Sequence, residues 1–196
     1  MGDSRTPAHD EAPLSTSKHG DGLEDMPLSL VDVKGDNLSS KTVTINRPRQ
    51  ELYDYWRALE NLSSFMENVE RIEDLGDSRY HWVVKAPAGK TVEWTAAITQ
   101  DVPGEVLAWA SEEGADVPNS GRIDFRDAPG ERGTWVTATI LYDPPVGLIG
   151  KVVAKLFQRE PSIQARRDLR RFKQLMETGE IATGARTQAQ FAEENE

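Results

Sequence analysis

The 196-residue chain has no cysteine. That excludes disulfides, thiolate zinc sites and thiol nucleophiles together. It is compatible with a reducing compartment, and the expected location is cytoplasmic. Histidine is nearly as scarce. Of three, His9 and His19 lie in a polar N-terminal stretch, leaving His81 alone for the folded part. A multi-histidine metal site or a Ser–His–Asp triad would hang on that one residue, so no catalytic set and no metal site is expected. Nor does any apolar run approach the roughly 20 residues that span a bilayer. The first residues, MGDSRTPAHDEAPLSTSKHGDGLEDMP, lack the apolar core of a signal peptide. Positive charge is also short: 23 Lys and Arg stand against 33 Asp and Glu, a net charge of −10. Nucleic acid, which needs a basic face, is not an expected partner. No cofactor is expected, and the sequence leaves the oligomeric state open.

What is present suffices for one core, since 37% of residues are hydrophobic. Residues 1–40 are rich in Gly, Ser, Asp and Pro without periodicity and read as a disordered acidic leader, in which LSLVDV at 28–33 could pair as an edge strand. Residues 41–180 form the expected domain, and 181–196 a polar tail.

Order begins with KTVTIN from Lys41, an alternating strand. Arg47 and Pro48 open a helix in which Leu52, Tyr55, Trp56 and Leu59 make an apolar stripe. A second short helix, NLSSFMENV, follows with Asn61 as its N-cap. Six strands come next, VERIEDL, RYHWVVKA, TVEWTAAITQ, EVLAWAS, GRIDFRD and TWVTATILY, each divided from the next by a short turn. Short turns force antiparallel neighbours, so the reading is a seven-stranded antiparallel sheet in an α+β domain.

Register gives a further test. The PAGK turn pairs Val84 with Val92, Trp82 with Trp94 and Tyr80 with Ala96. The VPGE turn pairs Ile98 with Trp109 and Gln100 with Leu107, and the APGER turn pairs Phe125 with Thr134 and Ile123 with Val136. Each hairpin then puts its large apolar residues on one face. The other carries His81, Lys85, Glu93, Thr95, Arg122, Asp124, Arg126, Thr137 and Thr139, with Glu93 and Asp124 in solvated cross-strand charge pairs. A helix from about Gly147 to Glu177, interrupted at Pro161 and stopped by Gly179, would cover the apolar face. Its stripes are Ile149, Val152, Val153, Leu156 and Phe157, then Ala165, Leu169, Phe172 and Met176. Its outer surface is basic, with Lys151, Lys155 and Arg159 in one row and Arg166, Arg167, Arg170, Arg171 and Lys173 in another. Beyond a solvated face, two uses follow: transient docking to an anionic membrane, or an intramolecular contact with the acidic leader.

This order of elements, and above all DLRRFKQLMETGEI at Asp168–Ile181 with VEWTAAITQDVPGEVLAW, SGRIDF and GTWVTATILYDPP, resembles the SRPBCC superfamily over residues 41–182. Within it the chain looks most like the bacterial polyketide cyclase/dehydrase and lipid transport branch. The resemblance implies a helix-grip fold: a curved sheet wrapped around a long C-terminal helix, with two short helices between strands one and two. It also implies an apolar cavity. Tyr80, Trp82, Trp94, Ala96, Ile98, Trp109, Phe125, Val153, Leu156 and Phe157 would line it, with the mouth near Asp143–Gly147. The expected function is binding or carriage of a small hydrophobic molecule such as a lipid, quinone or polyketide. A cyclase or dehydratase, and an adaptor domain with a filled pocket, are the alternatives.

Overall fold

The computed structural model describes residues 37–86, 89–142 and 161–182. Seven strands form one antiparallel sheet: β1 (Asn37–Ile45), β2 (Val69–Gly76), β3 (Arg79–Ala86), β4 (Lys90–Val102), β5 (Val106–Ser111), β6 (Asn119–Asp127) and β7 (Thr134–Tyr142). Their spatial order is β1-β7-β6-β5-β4-β3-β2, so a meander from β2 to β7 is completed by β1 returning beside β7. Helix α1 (Arg49–Arg57) and a 3-10 helix (Leu59–Ser64) lie between β1 and β2, and α2 (Pro161–Thr178) follows the sheet. This is the expected helix-grip order. Proline's fixed φ suits the start of α2, and Gly179 ends it at φ 82° with its N–H on the Leu175 carbonyl at 2.8 Å. Residues 143–160, with Val153, Leu156, Phe157, the expected mouth and the first basic row, lie outside the described residues, as do the leader segment 28–33 and the tail beyond 182.

Alternation assigns the two faces. Tyr80, Trp82, Trp109, Ile123, Phe125 and Val136 are buried on one side, while His81 is half-buried on the other, its Nε2 3.3 Å from Glu93. The buried face takes α1 and α2. Phe172 of α2 is fully buried against Trp56 (4.9 Å, 88°), Phe65 (4.9 Å) and Tyr55 (5.8 Å). The far end of α2 is tied to β1: Lys173 donates to the Thr44 carbonyl at 2.7 Å, and Glu177 accepts from Lys173 and the Asn46 N–H. The edge strand β1 is thereby covered.

Several expectations are corrected. Strand β1 starts at Asn37, not Lys41, because Asn37–Ser40 continue the ladder with β7. The second short helix is a 3-10 turn that begins two residues before Asn61. Asn61 does not cap it; its amide donates to the Tyr55 carbonyl, and the Ser63 and Ser64 hydroxyls bond back to the Glu60 and Asn61 carbonyls. Such side-chain bonds compete with a regular α-helix. At the APGER turn Phe125 pairs with Val136 and Asp127 with Thr134, a shift of two residues, since β6 runs on until Ala128 bonds Gly133. An even shift keeps every side chain on its face. Asp124 pairs with Arg122 of its own strand at 2.7 Å with both side chains mostly buried, not in the solvated cross-strand pair expected, whereas Glu93 does pair across strands, with His81 of β3.

The remaining correction matters most. A bulge between Ile98 and Gln100 pairs Gln100 with Ala108 and Asp101 with Leu107. Gln100 therefore points outward, where it accepts from Arg122 at 2.8 Å. Asp101 turns to the side of Leu107 and stands at the exposed margin of the apolar face.

Candidate functional site

The sheet wall of the expected cavity is fully described. Trp82 lies near-parallel to Trp94 (6.0 Å between centroids, 10°) and to Trp109 (6.0 Å, 19°). The β3–β4 register sets Trp82 opposite Trp94, and β4–β5 sets Trp109 opposite Ile98. Gly121 lies opposite Trp109 on β6 and leaves room for that indole to lie flat on the strand. Tyr80, Trp82, Ala96, Trp109 and Phe125 are buried, while Trp94 and Ile98 are half-buried. Seven of the ten expected lining residues thus share one face and one core; the other three fall outside the described residues. The indole N–H groups of Trp82 and Trp94 are buried without a hydrogen-bond partner.

Next to the indoles stands a polar group that sequence reasoning missed. Arg57, at the end of α1, donates from Nε to Asp101 at 2.7 Å and from Nη1 to the Tyr80 hydroxyl oxygen at 2.8 Å. The Tyr53 hydroxyl donates to the other Asp101 oxygen, and its ring packs edge-on against Phe125 at 6.0 Å. Burial, then the bond to Asp101, pushes the Tyr53 phenol up to about 12, so it keeps its proton at neutral pH. Burial pulls the Arg57 guanidinium down, but its bonds to Tyr80 and Asp101 together outweigh this and hold it above its ordinary value. Only Tyr80 of this quartet was an expected site residue. The bulge that brings in Asp101 leaves no mark in the alternation of β4. Tyr53, however, sits beside the stripe of α1 at a spacing that invited inspection.

No group of three or more His, Cys, Asp or Glu side chains able to hold a metal occurs among the described residues. An open recess of about 460 Å³ lies elsewhere, where Arg47, Pro48, Asp127, Glu131 and Thr134 meet; none of the expected lining residues borders it.

Comparison with known proteins agrees with this architecture. Residues 45–170 match the family model for polyketide cyclase/dehydrase and lipid transport. A 17.2 kDa protein from the melC2–rnhH intergenic region of Streptomyces lincolnensis is 30% identical over 145 residues, covering 74% of this chain and 92% of its own. The crystal structure of DR_A0006 from Deinococcus radiodurans is 41% identical with a TM-score of 0.60, covering 73% of this chain and 99% of that one. The Zhui aromatase/cyclase of a Streptomyces species superposes with a TM-score of 0.55 over 74% of this chain and 99% of its own; at 15% identity it shares the fold alone. By its matched residues and its helix-grip sheet, the chain belongs to the polyketide cyclase/dehydrase and lipid transport family.

Proposed function

We propose that the protein binds and carries a small hydrophobic ligand between the concave face of its sheet and the chain that follows β7. The observation that carries this reading is the Trp82–Trp94–Trp109 stack, with Trp94 only half-buried. Largely apolar, aromatic-lined recesses with a few polar groups are the usual form of small-molecule sites. At 6.0 Å the indoles stand too close to sandwich another ring, which needs roughly twice the van der Waals spacing of 3.5 Å. A flat ligand would therefore lie along the stack. Val153, Leu156 and Phe157, which lie outside the described residues, complete the lining proposed in this reading. The test is titration with a fluorescent apolar probe, read by quenching of tryptophan emission, beside native mass spectrometry of the purified protein. Stoichiometric binding that is blocked by Ala96→Phe, with folding retained, is the expected result. No binding would leave the adaptor reading in its place.

A second reading, cyclase-like catalysis on the bound ligand, is favoured by the Tyr53–Asp101–Arg57–Tyr80 quartet. Proteins of similar fold named as aromatase/cyclases lend it support. The exposed Arg166, Arg167 and Arg170 of α2, which have no ion-pair partner among the described residues, support transient contact with an anionic membrane during ligand pickup.

A further inference from the structure

We infer that Tyr80, with Arg57 behind it, is a specificity-determining end of the ligand site: it selects apolar ligands that end in a neutral carbonyl oxygen over those that end in a carboxylate. The inference rests on the reading of the concave face as a ligand site.

Tyr80 is buried, and its oxygen is already an acceptor for Arg57 Nη1. Its own proton has no acceptor among the described residues, and neither does Nη2 of Arg57. The Arg57 side chain is 32% exposed, so the proton of the buried Tyr80 hydroxyl is the buried donor left unused. A buried donor left unmade costs roughly 1–3 kcal/mol, which an incoming acceptor relieves. Position makes that acceptor a part of the ligand. Tyr80 precedes Trp82 by two residues on β3, so its ring stands on the same face, roughly 7 Å along the strand from the indole stack. An aromatic or alicyclic body on the indoles would bring an oxygen at its end to the Tyr80 hydroxyl.

Charge decides which oxygen. Arg57 is the cation here, and Asp101 at 2.7 Å already balances it. Asp54 is near enough to bear on Tyr53, and Tyr53 itself is neutral with its proton committed to Asp101. The quartet offers hydrogen bonds without net positive charge. A carboxylate entering it would lose hydration and meet Asp101, with no free cation to compensate. A carbonyl loses far less hydration and can take the Tyr80 proton. Asp101 and Tyr53 are positioning residues in this scheme: they fix the guanidinium that aims the phenol.

Three probes that share one ring system separate the possibilities: naphthalene, 2-acetonaphthone and 2-naphthoate, titrated at neutral pH against the full chain. The ketone should bind about five- to tenfold tighter than the hydrocarbon, the worth of about one net hydrogen bond, and the naphthoate weaker than the ketone. In Tyr80→Phe the ketone's advantage should vanish while naphthalene binds as before. Asp101→Asn supplies an independent readout, since it strips the balancing charge from Arg57: the naphthoate should gain about tenfold or more relative to the ketone. A naphthoate that binds tighter than the ketone to the wild type, or a ketone preference that survives Tyr80→Phe, overturns the inference and leaves the apolar site standing. Failure of all three probes to bind the wild type overturns the ligand-site reading itself.

Discussion

A Cβ placed on Gly121 would fall on the six-membered ring of Trp109, with Cη2 only 2.6 Å away. The two residues pair across β5 and β6, and the indole lies over the glycine backbone in the cross-strand position. Backbone conformation does not call for glycine here, so the constraint is purely one of space. Gly121→Ala should force Trp109 off the strand and out of its stack with Trp82. Overpacking of this kind costs about 1–3 kcal/mol. Urea melts should show that loss with an unchanged slope, and tryptophan emission should shift. Wild-type stability in the variant would mean that Trp109 does not rest on β6.

The aromatic residues divide into two groups with different energetic roles. Trp56 is 1% exposed and wedged between Phe65 and Phe172, whereas Trp94 is half-buried at the end of the indole stack. Trp56→Ala should cost about 3–5 kcal/mol, the full range for a buried large aromatic. Trp94→Ala should cost roughly half of that, because part of its surface is not removed from water. Chemical denaturation of both variants decides it, and equal losses would place Trp94 in the closed core.

Much of this arrangement was legible because the chain's alternation is strong. RYHWVVKA and TWVTATILY coincide with β3 and β7 to the residue, and the pairs Tyr80–Ala96, Trp82–Trp94 and Ile98–Trp109 follow from turn position alone. Even the two-residue slip at Phe125 did no harm to the faces, since side chains alternate with a period of two. What escaped was the bulge near Thr99. One extra residue there exchanges the faces of Gln100 and Asp101, and hence decides whether the site contains a carboxylate. The hydrogen bonds that favour the exchange, Gln100 to Arg122 on the outer face and Asp101 to Arg57 and Tyr53 on the other, join residues far apart in sequence. No local pattern could announce them.

The start of the domain is a related case. Asn37–Ser40 pair with Ile140, Leu141 and their neighbours on β7, and the Ser40 and Thr139 hydroxyls lie 3.2 Å apart. A chain beginning at Asn37 should melt within a few degrees of the full chain. One beginning at Lys41 loses four rungs of an edge ladder and should melt measurably lower, by about 2–4 °C for each kcal/mol lost at this domain size. Equal melting temperatures would show that these rungs add nothing.

If α2 meets anionic bilayers, its outward arginines carry the contact. Each basic residue near such a surface is worth about 1 kcal/mol, and the effect falls with salt. Vesicles containing phosphatidylserine should retain the protein at low ionic strength and release it near physiological salt, while uncharged vesicles retain none. Replacing Arg166, Arg167 and Arg170 with glutamine should abolish the retention. None of the three has an ion-pair partner among the described residues to lose, so stability should hardly change. Retention that survives the substitutions, or that ignores lipid charge, counts against this surface.

Asp168 ties α2 to the loop before β2, and its acidity makes that tie sensitive to pH. It accepts from Gln164 at 2.9 Å and from the backbone N–H of Glu67, while Arg171 stands 3.6 Å from the Glu67 carboxylate. Burial is the largest influence and raises Asp168 to about 6, against the lowering effects of Gln164, the Glu67 N–H and Arg171; the Glu67 carboxylate adds to the rise. The folded protein therefore holds this proton more firmly than the unfolded chain, whose aspartates titrate near 3.9. The linkage has a definite sign. Folding takes up a proton between about pH 4 and 6, so this residue's contribution falls as pH rises through that window and is flat above it. Asp168→Asn keeps the shape and an acceptor for either donor but removes the buried charge. At pH 8 the variant should be more stable than wild type by about 1–3 kcal/mol, and at pH 4 the two should converge. Denaturant melts across the window test the claim. A variant that is less stable at pH 8 would mean that the ionised carboxylate, held by its donors and by Arg171, stabilises α2 in place.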